Sequence, residues 1–240
     1  METPNKKSYA IPITIIVAGL LIGAVILITR YDGKNSNGSL KKDENSTKTF
    51  KKGDNVKPVT EEDHILGNPM ASVKIIEFSD MECPYCKSFH PTMQWIMEEY
   101  GKKGEVAWIY RHLPIDSSHP KSRKEAAAAE CAGEIGGNQK FWEFVDRVCE
   151  ITPSNNGLDP AKLPEIAEYI KLDKGKFDEC LSSGRYDKHI EDNLQDAISS
   201  GADGTPYSIL IDTEGKKIVL SGALSYYEVK QAIEAALNKK

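Results

Sequence analysis

The apolar residues of this chain change rhythm several times, and each change marks an element. From Ile11 to Thr29 the run IPITIIVAGLLIGAVILIT carries no charge, close to the ~20 residues a helix needs to cross a bilayer. From 30 to 60 the pattern vanishes. YDGKNSNGSLKKDENSTKTFKKGDNVKPVT is mostly Lys, Asn, Ser and Gly, too little apolar surface to offset the entropy of ordering it, and predicts a flexible basic tether. VKIIEFS, Val73 to Ser79, is a short run rich in β-branched residues and predicts a largely buried strand. Helical signals follow from Pro84 to about Tyr100, and EVAWIYRHL returns to strand character from Glu105. Five segments rich in helix formers and punctuated by Gly and Pro then fill about 118–200, and predict about five helices. After Gly204, TPYSILIDTEGKKIVLSG predicts two strands joined by a turn at Glu214 and Gly215, and YYEVKQAIEAALNKK closes as an amphipathic helix. The order strand, helix, strand, helical block, strand, strand, helix predicts an α/β sheet interrupted by a helical insertion, as one domain over 61–240.

The N-terminal run reads as an uncleaved anchor. It is longer than an ordinary signal-peptide core, and the following TRYDGKN holds no small-residue cleavage site. Val25 stands where a lipoprotein signal would carry cysteine. Lys6 and Lys7 on one side are balanced by Arg30 and Lys34 on the other, so charge alone does not orient the span. The net charge of -5 argues against a nucleic-acid partner, which calls for a basic surface. Five cysteines are too few for a disulfide scaffold but suffice for one reactive pair, one bridge and one remainder.

Two of the five lie in SDMECPYCKSFHP, with only Pro84 and Tyr85 between Cys83 and Cys86. The pattern puts Cys83 where the first strand gives way to a helix and Pro84 at the first helical position, where a missing N–H costs nothing. A thiolate there is favoured by the positive end of the helix dipole and by free backbone N–H groups, so the Cys83 pKa is expected below its ordinary value. Cys86, one turn on, is within reach to close a disulfide, which makes Cys83 the exposed attacking sulfur and Cys86 the shielded resolving one. The rival reading is zinc. Structural zinc needs four ligands, and neither the scattered Cys131, Cys149 and Cys180 nor the pairs His112 with His119 and His90 with His189 supply a second half-site. A permanent staple is disfavoured because a bridge across two residues restricts the unfolded chain very little.

With IIEFSDMECPYCKSFHP, EAAAAECAGEIGGNQKFWEF, KFDECLSSGRY and GADGTPYSILID in this order, the chain resembles the DsbA family of thioredoxin-fold proteins, in particular its membrane-tethered or secreted bacterial branch, over His64 to Lys240. The resemblance implies a thioredoxin-like fold with an inserted helical domain, and a redox-active disulfide in place of any cofactor or metal. It places Thr205-Pro206 in a cis-prolyl loop facing the active site, where Thr205, Pro84 and Tyr85 would help hold an extended substrate and Pro206 would keep the sulfurs accessible. It makes Glu77 a buried acid that exchanges a proton with the resolving thiol. It also implies a structural bridge between Cys131 and Cys180, leaving Cys149 as a buried free thiol. The Pro-Tyr dipeptide departs from the Pro-His of the family's strongest oxidants, so a milder oxidant is expected.

Lys87 and His90, on the helix after Cys86, could either of them tune the thiols but are read first as exposed helix-face positions. Trp95, Trp108 and Trp142 are read as core or partner-facing aromatics, and DKHIEDNLQD as a solvated helix face. The expected activity is donation of the Cys83-Cys86 disulfide to folding proteins outside the cell membrane, since such chemistry needs an oxidising compartment. Residues 1–10 are then cytoplasmic. The implied partners are unfolded thiol-bearing proteins and a membrane quinone-linked oxidase of the DsbB or vitamin K epoxide reductase type, with the protein a monomer held by its own anchor. Two rivals stand beside this: a disulfide isomerase or reductase, and a metal-binding or surface interaction module on the same fold.

Overall fold

The computed structural model describes residues 53–237. The expected anchor at 11–29 and the tether up to residue 52 lie outside the described residues. No helix among the described residues is long and apolar enough to cross a membrane.

A mixed sheet of five strands organises the domain: β1 (His64–Gly67), β2 (Val73–Ser79), β3 (Val106–His112), β4 (Tyr207–Ile211) and β5 (Lys217–Ser221), in the spatial order β1-β3-β2-β4-β5. Only β2 and β3 run parallel. Their crossover is α1 (Pro84–Ile96), continued by a wider π turn, Met97–Gly101, where the sequence predicts α-helix to about Tyr100. Strand β1 was not foreseen. Its four residues are too few to show alternation, and it is held by antiparallel pairing with the edge of β3.

Strand β2 is buried on both faces except at Lys74, as befits a central strand covered by helices on either side. Its alternation decides what each face meets. Val73 and Ile75 pack with Trp108 of β3, with Phe89 and Met93 of α1, and with Val229 and Ile233 of α7 (Tyr226–Leu237). Ile76 and Phe78 pack the opposite way, with Ala107, Ile109, Tyr207 and Ile209. Glu77 shares the parity of Val73 and Ile75, so its carboxyl points toward α1, the helix that begins at the cysteines.

The helical block comprises α2 (Ser122–Gly136), α3 (Asn138–Ile151), α4 (Lys162–Tyr169), α5 (Lys174–Ser182) and α6 (Asp187–Ser199). Helices α2 and α3 meet closely because α2 offers only methyl groups, Ala128, Ala129 and Ala132, to the large side chains Phe141, Phe144, Val145 and Val148 at helical spacing on α3. Gly137 forms the corner between them at φ 78, ψ -179, a conformation essentially reserved for glycine. Cys131 of α2 is bonded to Cys180 of α5 across 49 residues, a loop whose closure removes about 4 kcal/mol of unfolded-chain entropy.

Residues 53–60, read from sequence as the end of the tether, belong to the folded domain. Val56 is buried in the second core, the Gly53 N–H donates to the Ser200 carbonyl, and the Lys57 N–H donates to Asp196. The carbonyls of Lys57 and Pro58 accept from Arg111 on β3. Apart from Val56, this polar segment is fixed by backbone hydrogen bonds, which is why composition alone assigns it to the tether.

Candidate functional site

After β2 ends at Ser79, three residues turn the chain into α1. Cys83 caps that helix with extended backbone, φ -74 and ψ 123, and Pro84 follows at its first position. The Cys83 carbonyl accepts the Lys87 N–H, the first bond of the helix. Cys83 is only 5% exposed, against the exposed sulfur expected from sequence, and Cys86 is 3% exposed. Access to Cys83 is shaped by Tyr85, 66% exposed, and by the loop that precedes β4. In that loop the Thr205-Pro206 peptide is cis, and the Cys83 thiol donates to the Thr205 carbonyl at 3.5 Å. Pro206 presents no N–H, and its carbonyl accepts from Gly222.

The two thiols are driven apart in acidity. A hydrogen bond from Cys86 is the largest influence on Cys83; burial opposes it, and the Thr205 side chain and the backbone N–H groups of Cys86 and Tyr85 add to it, leaving the pKa at about 5. The Cys86 thiol is pushed well above its ordinary value, first by burial and then by Cys83 and Glu77, against one favourable contact from the Asp80 N–H at 3.4 Å. One sulfur is set to ionise and the other to keep its proton.

Glu77 lies behind them, 1% exposed, accepting from the Trp108 indole N–H at 2.9 Å. Burial raises its pKa, partly offset by Ser79, His90 and Trp108. Trp108 also packs on Trp142 at 4.6 Å between rings and on His90 at 5.2 Å. A protonatable carboxyl, fixed in position, thus acts on the Cys86 thiol.

The sequence readings of three residues are corrected here. His90 is buried, 4% exposed, with Nε2 2.7 Å from Asp146 of α3, because it follows Cys86 by one turn and so shares its inward face. Cys149 is only partly buried and lines a cavity beside His90. Lys87, also read as exposed, is partly buried and donates to the Thr152 carbonyl.

Several supporting residues were not singled out from sequence. Asp80 accepts from the Glu82 N–H, the Ser122 hydroxyl and the Ile115 N–H, and lies 2.9 Å from His119. It ties the turn before Cys83 to the helical block. Glu82 accepts from the N–H groups of Gly157 and Leu158 and faces Glu125, whose pKa is pushed up to about 10 by burial and by Glu82 itself. The signal was the acid-rich SDMEC, since carboxylates flanking a buried strand end must be bonded inward or pay for desolvation. Among the described residues no group of three or more His, Cys, Asp or Glu side chains is placed to hold a metal ion.

A family model described as thioredoxin matches residues 59–235. Among solved structures, DsbA2 of Pseudomonas aeruginosa is similar at TM-score 0.65 and 26% identity, covering 76% of this chain and 98% of that one. BdbD of Bacillus subtilis, in its oxidised form, superposes at TM-score 0.66 with 24% identity over 76% of this chain and 96% of its own, a likeness of fold. The Na(+)/H(+) antiporter NhaA 3 of Salinispora tropica is 35% identical over 144 residues, 60% of this chain but 21% of that protein. The chain thus spans about a fifth of the length of that curated relative.

Proposed function

The chain belongs to the thioredoxin family, and from that premise we propose that it is a thiol-disulfide oxidoreductase of DsbA type that donates the Cys83-Cys86 disulfide to folding secreted or surface proteins. The observation that carries this is the divided acidity of the pair at the mouth of α1, Cys83 at about 5 and Cys86 far above its ordinary value. A depressed pKa stabilises the reduced protein and so makes its disulfide a better oxidant.

The reaction follows from the geometry. A substrate thiolate attacks the Cys83 sulfur, the Cys83-Cys86 bond breaks, and Cys86 leaves with a proton from Glu77. A second substrate thiolate attacks the substrate sulfur of the mixed disulfide, and Cys83 leaves as a thiolate stable at neutral pH. Two electrons pass from the substrate to the protein, and the substrate gains its disulfide. Thr205 and Pro206, with Pro84 and Tyr85, border the approach to Cys83, the Thr205 backbone being placed to align an extended segment. The proposal includes residues 11–29 as a membrane anchor, 30–52 as the tether and the domain outside the membrane, where a quinone-linked oxidase of DsbB or vitamin K epoxide reductase type would recharge it. Antiporter activity is not carried over from a relative of which the chain spans so small a part.

Mixing the oxidised full-length chain with a reduced, unfolded two-cysteine protein, with no other oxidant present, is expected to form one substrate disulfide per Cys83-Cys86 bond lost. An equilibrium potential near the ~-270 mV of thioredoxin would instead make the protein a reductase. Glu77→Gln keeps an acceptor for Trp108 but carries no proton. In single-turnover reaction with a model dithiol it is expected to slow formation of the mixed disulfide roughly 10²-fold, with alkylation of reduced Cys83 unchanged. Equal slowing of both would assign Glu77 a structural part only.

A further inference from the structure

Four side chains stand in line from α3 to the central strand. Asp146 of α3 lies 2.7 Å from His90 Nε2 and also accepts from Gln94 at 3.1 Å. The buried ring of His90 lies 5.2 Å from that of Trp108, at an angle of 54°. Trp108 in turn donates its indole N–H to Glu77 at 2.9 Å. Carboxylate, imidazole, indole and buried carboxyl are thus strung from α3 through α1 and β3 to β2. Burial works against a charge on His90, but Cys149 and Asp146 outweigh it and raise its pKa to about 10, so the ring is an imidazolium at neutral pH.

A cation against the indole draws electron density from its N–H, and both the stronger donor and the charge itself favour an ionised Glu77. The other groups around Glu77 bring no positive charge. They are Cys86 on α1, Tyr110 and Ser208 beside it in register on β3 and β4, Ser79 on its own strand, and the apolar Val229 and Ile233 of α7. Burial left uncompensated would lock Glu77 in its neutral form. The exchange proposed above needs both forms: Glu77 gives its proton to the Cys86 sulfur as the Cys83-Cys86 bond breaks, and takes it back when that bond re-forms. Building on that reaction, we propose that His90, held as an imidazolium by Asp146, is a positioning residue that acts across Trp108 to let Glu77 ionise and so reverse the transfer. In this step one proton moves between a carboxyl oxygen and a sulfur, and no co-reactant is consumed.

The test reads Glu77 itself. Difference infrared spectra of the oxidised full-length chain across a pH titration, with Glu77→Gln as the blank, give the midpoint of this one carboxyl. His90→Gln can still donate to Asp146 but carries no charge, and is expected to raise that midpoint by roughly one pH unit, a tenfold weaker acid. A merely structural loss would have the opposite sign, since water admitted beside Glu77 relieves its burial and lowers the midpoint. An unchanged or lowered midpoint in His90→Gln would therefore overturn the proposal. Nitrogen NMR of the parent chain decides even if the variant does not fold: both ring nitrogens of His90 are expected to be protonated at neutral pH, and a neutral ring would overturn the proposal. Neither measurement uses a substrate. Failure here, with normal disulfide transfer by the parent, removes the part given to His90 alone, whereas absence of transfer removes the exchange reaction.

Discussion

Cys83→Ser is expected to lower disulfide exchange roughly 10³-fold or more, to the level of the uncatalysed reaction, because a hydroxyl does not ionise at neutral pH and cannot form the mixed disulfide. Cys86→Ser is expected to behave differently. Its Cys83 thiolate can still attack a substrate disulfide, releasing one substrate thiol, but no partner is left to displace the bound half, so the mixed disulfide accumulates. The contrast is the informative part. Cys86→Ala, which leaves no donor at this position, removes the largest influence holding down the Cys83 pKa, so Cys83 should titrate higher in that variant than in the parent. Non-reducing electrophoresis with an unfolded substrate that carries a disulfide reads the trapping, and titration of the Cys83 thiolate reads the shift. Trapping at Cys86 in Cys83→Ser, rather than at Cys83, would reverse the roles assigned to the pair.

The second large effect lies in the scaffold. Arg111 donates from Nε and Nη2 to the two oxygens of Asp63, from Nη1 to Asp196, and from both Nη atoms to the carbonyls of Lys57 and Pro58. The carboxylates are 8% and 2% exposed, so each depends on the guanidinium for charge balance. Removing a partner from such a buried cluster costs about 3–5 kcal/mol, because the remaining charges stay desolvated and unpaired. Arg111→Ala is therefore expected to lower Tm by roughly 10 °C. Arg111→Lys should recover little of it, since one ammonium cannot span both carboxylates and both carbonyls. Thermal unfolding followed by circular dichroism measures the loss. A change below about 1 kcal/mol would mean that water reaches Asp63 and Asp196 and that 53–60 is not held by this arginine.

The strands and helices that place the cysteines were legible because their signals are local. VKIIEFS is a short apolar run rich in β-branched residues, Pro84 marks the first turn of α1, and Gly and Pro punctuate the helix formers of the helical block. What was missed depends on contacts distant in sequence. Strand β1 exists only through pairing with β3, and 53–60 is ordered by Arg111 and Asp196, more than fifty and a hundred residues away. His90 was within reach of sequence: Cys86, His90 and Met93 fall on one helical face, and a residue on the face of a buried cysteine is inward too. Cys149 was not, because its neighbour His90 belongs to another helix and the cavity between them arises from how α1, α3 and the end of α4 meet. Asp80 and Glu82 look like ordinary loop acids until the helical block is seen to supply their donors.

The account turns on the ionisation of one sulfur. Titration of the reduced full-length chain, following thiolate absorbance with Cys83→Ser as the blank, tests it directly. A single transition with its midpoint at about 5 is the predicted result. A midpoint near the ~8.5 of a free cysteine would contradict it, and with it the assignment of Cys83 as the sulfur that meets the substrate.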